Sequence, residues 1–181
     1  MRILALSGSL RAASTNTALL RAVRRLAPPE IDVVLFDALA EIPPFNPDID
    51  EIGAPPAVAK LRRAIAEADG LLIASPEYAH GVPGTLKNAL DWLVAGDEIL
   101  NKPITLFNAS SRGVHAQAAL SEILKTMSAS LISEAAFTIP LLGKTAQEIS
   151  EIVARPEVAE MMRAAIVSFA RAIEARQDER A

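Results

Sequence analysis

The sequence contains no cysteine, which excludes disulfide bonds, thiol nucleophiles, zinc–thiolate sites and cysteine-ligated iron–sulfur clusters. A chain without thiols is compatible with a cytoplasmic location, and we expect that location. Histidine is also scarce, since only His80 and His115 are present, in separate predicted loops and without metal-ligand spacing. We therefore expect no metal site, and we expect His115 to be an exposed loop residue.

Positive charge and long apolar runs are lacking as well. The 18 lysine and arginine residues are outnumbered by 22 aspartate and glutamate residues, which gives a net charge of −4. Proteins that bind nucleic acid through its phosphates carry a basic surplus, so we expect no nucleic-acid partner. No apolar stretch approaches the length of a membrane span, and the first one is too short for a signal peptide, so we expect no membrane association.

What the chain does contain is typical of one globular domain. Of its 181 residues, 51% are hydrophobic and 22% are charged. Short apolar runs predict strands over residues 2–6, 31–36, 70–75, 103–108 and 135–139. Helical spacing of apolar residues predicts helices over residues 16–26, 58–68, 85–95, 116–131 and 158–175. Prolines predict irregular structure over residues 37–56, and the tail over residues 174–181 is predicted to fray.

Apolar strands that alternate with helices indicate a parallel sheet covered by helices on both faces. Right-handed connections between five strands favour a flavodoxin-like three-layer α/β/α sandwich with strand order 2-1-3-4-5, formed by a single domain over residues 1–181. In such sheets, ligands bind at the carboxyl ends of the strands where the order reverses, which is between strands 1 and 3. We therefore expect the site in the loops over residues 8–15, 76–84 and 109–115.

The first of these loops has the composition of an anion site. Its polar residues are Ser9, Arg11, Ser14, Thr15 and Asn16. The helix that follows offers unpaired N–H groups to a phosphate. The loop has a single glycine and matches neither the phosphate loop nor the dinucleotide fingerprint, so a terminal phosphomonoester suits it best. The alternative is that Ser14, Thr15 or Asn16 only caps the helix.

Two motifs, taken together, resemble those of a known family. The first is G-S-L-R-x-x-S-x-N at residues 8–16, and the second is P-E-Y at residues 76–78 followed by P-G-x-L-K-N-A-L-D-W at residues 83–92. This arrangement is similar to that of the NADPH-dependent FMN reductase family, which includes bacterial chromate, quinone and azo reductases of flavodoxin-like fold. The resemblance covers residues 1–131.

The resemblance implies a non-covalently bound FMN, NAD(P)H as co-substrate, a small-molecule electron acceptor and a homodimer or homotetramer. The FMN phosphate would contact the first loop at Ser9, Arg11, Ser14 and Asn16. The flavin ring would be flanked by Pro76, Glu77 and Tyr78 and by the loop over residues 108–113. No catalytic side chain is required, because a flavin carries the hydride chemistry and the protein positions it.

Two departures from the family pattern concern the flavin contacts. The asparagine and serine that usually follow the P-E-Y segment are replaced by Ala79 and Gly81. The third loop is shorter and poorer in glycine, so Ser110, Ser111 or backbone amides are the expected contacts of the flavin's pyrimidine edge. Arg112 in the same loop is expected either to shift the flavin potential or to meet the second nucleotide.

Several side chains of the second motif have more than one interpretation. Glu77 is either a flavin neighbour or a solvated turn residue, and Tyr78, the only tyrosine, is expected to face the ligand. Trp92 is expected to pack within a helix or at a subunit contact. Asn88 either supports the loop or an interface, or it belongs to an ordinary polar helix face.

The sequence thus favours an FMN-dependent NAD(P)H oxidoreductase that passes electrons from the nicotinamide through bound FMN to quinone, azo, flavin or metal-oxyanion acceptors. An alternative is a flavodoxin-like electron carrier without NAD(P)H turnover of its own. A third interpretation is a phosphate-sugar or nucleotide-binding protein without flavin affinity. Aromatic residues make up only 4% of the chain, which leaves few for the aromatic sandwich that electron carriers often place around a flavin.

Overall fold

A computed structural model describes residues 1–178 as one parallel sheet with helices on both of its faces. The strands are β1 (Arg2–Ser7), β2 (Asp32–Leu35), β3 (Gly70–Ala74), β4 (Pro103–Asn108), β5 (Ser130–Leu131) and β6 (Phe137–Thr138). The helices are α1 (Thr15–Leu26), α2 (Pro47–Ile52), α3 (Pro56–Ala66), α4 (Gly84–Asp91), α5 (Val114–Thr126), α6 (Ala146–Val153) and α7 (Pro156–Asp178). Among the described residues, no helix is long and apolar enough to cross a membrane.

The strand order is β2-β1-β3-β4-β5, and every strand pair is parallel, so the predicted flavodoxin-like order is confirmed. Leu71, Leu72 and Ile73 of β3 are completely buried. Helices α1, α6 and α7 pack against one face of the sheet, and α3, α4 and α5 pack against the other. Burial on both faces explains why the apolar runs of the strands are continuous rather than alternating.

The fifth position of the sheet differs from the prediction of one strand over residues 135–139. Two short strands lie beside β4, and β5 pairs with its beginning while β6 pairs with its end. The predicted helix over residues 116–131 also ends early, because α5 ends at Thr126. Ser128 has a positive φ of 59°, a conformation that a right-handed helix cannot contain.

The prediction of irregular structure over residues 37–56 is wrong where α2 forms. Pro47 is the first residue of α2, a position that suits proline because its missing N–H has no helical partner there. Asn46 caps the helix, since its Oδ1 accepts a hydrogen bond from Asp48 N at 3.0 Å. The proline therefore begins a helix at this point instead of preventing one.

Helix α6 was not predicted, although its start is encoded in the sequence as a capping box. Thr145 Oγ1 accepts a hydrogen bond from Glu148 N at 3.2 Å, and Glu148 Oε2 accepts one from Thr145 N at 2.8 Å. This backbone donor, followed by the ammonium of Lys144 at 3.0 Å, lowers the pKa of Glu148 from 4.5 to about 2.

The start of α6 is therefore expected to loosen as the pH falls. A carboxyl whose pKa is lower in the folded than in the unfolded chain stabilises the fold above the unfolded pKa. This stabilisation is complete above about pH 4.5 and is lost as the pH falls towards about 2. The protection factors of the Thr145 and Glu148 amides, which compare the exchange rate measured by NMR with the intrinsic rate at the same pH, should fall as the pH falls through this window, and Glu148→Gln should remove this change. Protection factors that stay constant through the window would contradict the assignment.

The C-terminal tail is helical further than predicted. Arg176 Nε donates a hydrogen bond to Ser130 Oγ at 2.9 Å, and Gln177 Nε2 donates one to Asp69 Oδ1 at 3.2 Å. These contacts hold the last turn of α7 against the sheet, so the predicted fraying is wrong for residues 174–178. The rest of the predicted tail, residues 179–181, lies outside the described residues.

Candidate functional site

The carboxyl ends of β1 and β3 meet where the strand order reverses. Gly8 N donates a hydrogen bond to Ala74 O at 2.8 Å, which joins the two strand ends. A Cβ atom at Gly8 would lie 2.8 Å from Ser75 Oγ and 3.0 Å from Leu86 Cδ2. The first of these distances is shorter than a Cβ atom tolerates, so glycine is what allows the first loop to lie this close to β3 and α4.

Ser14 begins the helix that follows the first loop. Its Oγ accepts a hydrogen bond from Thr17 N at 3.2 Å, and the residue is 6% exposed. Thr15 is the first residue of α1 and is half-buried. The capping interpretation therefore applies to Ser14, and a serine hydroxyl that accepts one hydrogen bond can still donate one.

Asn16 is a buried polar side chain that lacks a partner. It lies in the first turn of α1 and is 5% exposed, and its Oδ1 has no hydrogen-bond partner within residues 1–178. Burying an amide oxygen without a partner costs about 1–3 kcal/mol, so such atoms usually have a partner or a functional reason. The amide offers one acceptor and two donors, which suits a phosphate ester that also carries hydroxyl groups.

Arg11 brings the only full charge of the first loop to the mouth of the site. Its side chain is exposed and forms no ion pair within residues 1–178. Ser9 Oγ accepts a hydrogen bond from Arg11 N at 3.4 Å, so Ser9 also shapes the loop. Ser7, which we did not predict, pairs with Thr17 Oγ1 at 2.7 Å and accepts a bond from Ser9 N at 3.4 Å. Its position at the carboxyl end of β1, beside the predicted site, could have identified Ser7 from the sequence.

Glu77 joins the second loop to α5. Its Oε2 accepts a hydrogen bond from Ala116 N at 2.8 Å. Ala116 lies in the first turn of α5, where the capping residue Gly113 has no side chain to satisfy the N–H groups. A carboxylate at a helix N-terminus is stabilised both by this bond and by the helix dipole. Glu77 therefore caps α5 and is not a solvated turn residue.

A tight turn between Tyr78 and Gly81 lies at the mouth of the site. Tyr78 N donates to Gly81 O at 3.2 Å, and Gly81 N donates to Tyr78 O at 2.9 Å. The two central residues, Ala79 and His80, have positive φ angles of 48° and 58°, as in a type I′ turn, which favours asparagine and glycine. The Tyr78 side chain is 57% exposed and so remains open to a ligand.

Replacing Ala79 with glycine is expected to raise stability by about 0.5–1 kcal/mol. A left-handed alanine costs about 1–2 kcal/mol, and the greater unfolded-chain entropy of glycine cancels part of the gain. Thermal unfolding should show an increase in Tm of about 1–4 °C. Ala12→Gly, in an exposed turn without a positive φ, is the matched control and should not raise Tm. An equal response of the two variants would show that Ala79 is not strained.

The third loop is held by its own side chains. Asn108 Oδ1 accepts a hydrogen bond from Ser110 N at 2.9 Å, and Ser110 Oγ accepts one from Arg112 N at 3.1 Å. Asn108 is 8% exposed, and a Cβ atom at Gly113 would lie 3.4 Å from its amide, so the loop folds closely over this side chain. Ser111 and Arg112 are exposed. Asn108 begins the segment predicted to flank the flavin ring but was not named as an individual contact, although a polar residue that ends a buried strand was a usable signal.

The two histidines lie together. Their imidazole centroids are 4.3 Å apart, and the ring planes are stacked at 23°. His80 is in the Tyr78–Gly81 turn, whereas His115 is the second residue of α5, so the prediction of His115 as a loop residue is wrong. Both residues are exposed. Over residues 1–178, no three or more histidine, aspartate or glutamate side chains are grouped so as to hold a metal ion.

The second motif supports a neighbouring loop through α4 and the residue after it. Asn88 Oδ1 accepts a hydrogen bond from Phe45 N at 2.7 Å, and Asn88 Nδ2 donates one to Pro43 O at 2.9 Å. The Trp92 indole N–H also donates to Pro43 O, at 2.8 Å. The Trp92 ring is buried and meets Phe45 edge to face, with ring centroids 5.1 Å apart. Asn88 thus supports the segment around Pro43 and Phe45 and not the second loop, and Trp92 packs against the same segment, as expected of a buried aromatic residue.

A parallel sheet of this order, with polar loops that meet at its switch point, defines an α/β protein of the flavodoxin-like class. Within that class, the sequence model of the NADPH-dependent FMN reductase family matches residues 1–142. The chain belongs to this family. The matched residues include all three loops of the site.

Curated relatives are similar over the same part of the chain. An NAD(P)H-dependent FMN reductase of Pseudomonas aeruginosa is 41% identical over 113 residues, which are 61% of this chain and 60% of that protein. A quinone reductase of Escherichia coli is 38% identical over 117 residues, or 63% and 62% of the two chains. The CrdA subunit of a Vibrio ruber NADH:(hydroxy)cinnamate reductase is 34% identical over 151 residues, or 80% and 72%. The chain spans about three-fifths of the length of the first two relatives.

Solved structures share the architecture. A flavoenzyme NAD(P)H:(acceptor) oxidoreductase from Paracoccus denitrificans superposes with a TM-score of 0.79 at 24% identity, over 96% of this chain and 97% of that chain. An azoreductase from Bacillus anthracis superposes with a TM-score of 0.60 at 18% identity, over 91% and 99%. At these identities the likeness concerns the fold, and it agrees with the predicted class.

Proposed function

We propose that this protein is an FMN-dependent NAD(P)H oxidoreductase that passes electrons from a nicotinamide through bound FMN to a quinone, azo, flavin or metal-oxyanion acceptor. The observation that carries the FMN assignment is the buried amide oxygen of Asn16, which has no partner within residues 1–178, lies at the N-terminus of α1 and would accept a hydrogen bond from a hydroxyl of the FMN ribityl chain. The family of the chain and the names of its relatives support the same function.

The first loop fits the phosphate of FMN. The groups that would hold it are the hydroxyls of Ser9, Ser14 and Thr15, the Nδ2 amide group of Asn16 and the guanidinium of Arg11, all of which donate hydrogen bonds. The first turn of α1 contains no acidic residue that would repel an anion. The first turn of α5, by contrast, already accommodates the carboxylate of Glu77. We therefore assign the phosphate to α1 and not to α5.

The second and third loops would flank the flavin ring, with Pro76, Glu77 and Tyr78 in one and Ser110 and Ser111 in the other. When bound, FMN supplies the hydride chemistry. The protein's own part is to bind the phosphate, to hold the two loops together through Glu77 and to leave the mouth accessible. The exposure of Tyr78 and Arg112 is consistent with an open mouth that admits a nicotinamide and then an acceptor.

Absorption spectroscopy of the purified protein tests this function. We expect visible flavin absorption, and we expect NADPH or NADH to bleach it in the absence of any partner protein. Flavin that neither nicotinamide bleaches would favour the electron carrier without turnover of its own. A colourless protein that neither binds added FMN nor oxidises NADPH with a quinone would contradict both the oxidoreductase and the electron carrier.

We further propose a homodimer or homotetramer, as the resemblance implies, and a cytoplasmic location, which agrees with the absence of cysteine. Ile49 and Ile52 of α2 are 42% and 90% exposed, and Val94, which follows α4, is 65% exposed. A second copy of the chain would cover such apolar surface. Size-exclusion chromatography with light scattering measures the assembly, and a monomer at micromolar concentration would contradict the oligomer.

A further inference from the structure

We propose that His80 and His115 are positioning residues, whose stacked rings hold the second loop against α5 and thereby set the width of the flavin crevice. The inference rests on the proposed function, because it concerns the crevice between the second and third loops. Its starting observation is the 4.3 Å separation and 23° inclination of the two imidazoles. The rings belong to different elements, so their contact fixes one element relative to the other.

The backbone of the turn explains why such a contact is needed. Ala79 and His80 both have positive φ angles, and consecutive strained residues persist only where surrounding contacts hold them. The two hydrogen bonds between Tyr78 and Gly81 close the turn, but they connect it to nothing outside itself. The imidazole of His80 does reach outside, because it lies on the ring of His115 in α5. The stack therefore helps to fix the position of the turn relative to α5.

A second link lies beside the stack. Glu77, three residues before His80, accepts a hydrogen bond from the N–H of Ala116, which immediately follows His115. The second loop and the start of α5 are thus joined at two neighbouring points, one through a carboxylate and one through rings. Glu77 precedes the turn and His80 is one of its two central residues, so the histidine pair forms the link at the tip of the turn.

Substitution of His115 tests the positioning role. In titrations of the apoprotein with FMN, His115→Ala is expected to weaken binding about two- to twelvefold, the usual contribution of an aromatic pair. His115→Phe retains a ring and should bind FMN within about twofold of the unmodified protein. Gln117→Ala removes a neighbouring polar side chain of α5 and should leave the affinity unchanged. Equal affinities of His115→Ala and Gln117→Ala, or a phenylalanine variant as weak as the alanine variant, would overturn the proposal.

The two rings should also act as a pair. Once one ring has been removed, the other has nothing to stack on, so the combined His80→Ala, His115→Ala variant should bind FMN no more weakly than the weaker single variant. Fold-changes that multiply in the combined variant would mean that the residues act independently, and the stack would then have no positioning role.

NMR of the apoprotein tests the contact itself, without flavin. The chain has two histidines, so protein freed of any affinity tag gives one set of imidazole C–H signals for each. Because stacked rings shift each other's signals, His115→Ala should move those of His80. Signals of His80 that stay in place would contradict the stack. If His115→Ala moves the His80 signals but the unmodified protein binds no FMN, the stack exists and the proposed function is wrong. The stack would then have no role in a flavin crevice.

Discussion

Replacing Arg11 with alanine is expected to weaken FMN binding about tenfold to a hundredfold. Arg11 carries the only charge of the first loop and forms no ion pair within residues 1–178, so no partner there competes with a phosphate. A hydrogen bond to a charged group contributes about 1.5–3 kcal/mol, which gives the expected range. Fluorescence titration of the apoprotein with FMN measures the effect.

Riboflavin is the most informative control, because it lacks the phosphate. If Arg11 contacts only the phosphate, Arg11→Ala should leave the affinity for riboflavin unchanged. Arg21→Ala removes an exposed arginine of α1 and should change FMN affinity by less than about twofold, since an exposed charge further from the ligand is screened by salt. An Arg11→Ala variant with normal FMN affinity, or one that loses both ligands equally, would show that Arg11 is not a phosphate ligand.

Replacing Glu77 with alanine is expected to lower the stability of the apoprotein by about 1–2 kcal/mol. The substitution removes the carboxylate that accepts the hydrogen bond of Ala116 N at 2.8 Å and leaves the first turn of α5 without a side-chain cap. For a chain of this length, Tm should fall by about 2–8 °C. Hydrogen exchange at the Ala116 amide should accelerate more than exchange in the central strands, because the loss is local.

Glu77→Gln separates the charge from the hydrogen bond. The amide oxygen of glutamine still accepts from Ala116 N, but it no longer interacts as an anion with the helix dipole, so we expect a smaller decrease in Tm than for alanine. Glu122→Ala, an exposed carboxylate further along α5, is the matched control and should leave Tm nearly unchanged. If Glu77→Ala and Glu122→Ala were equally stable, the capping role of Glu77 would be wrong.

The sheet was predictable because its strands are buried on both faces and therefore stand out as apolar runs. Of the two short strands beside β4, β6 lies within the predicted strand over residues 135–139, whereas β5 was not predicted, since its two residues carry no periodic signal and are defined only by pairing with β4. Helix α2 was hidden by prolines, one of which is its first residue. The rule that prolines prevent helices thus gave a wrong prediction for Pro47, because this proline is the first residue of a helix.

The location of the site was predictable and the roles of its residues were only partly so. Ligands of parallel sheets bind at the carboxyl ends of the strands where the strand order reverses, and this rule predicted the three loops. The residue types of the first loop then predicted its polar groups. The contacts of Glu77 with Ala116 and of His80 with His115 connect residues more than 30 positions apart, so they depend on how two loops pack. Nothing in the local sequence of either loop encodes that packing.

A crystal structure of the protein soaked with FMN tests the central assignment most directly. We expect electron density for the phosphate at the N-terminus of α1, within hydrogen-bond distance of Arg11 and Asn16, and density for the flavin ring between the second and third loops. An empty crevice in crystals that tolerate saturating FMN, or a phosphate bound at any other position, would contradict the account.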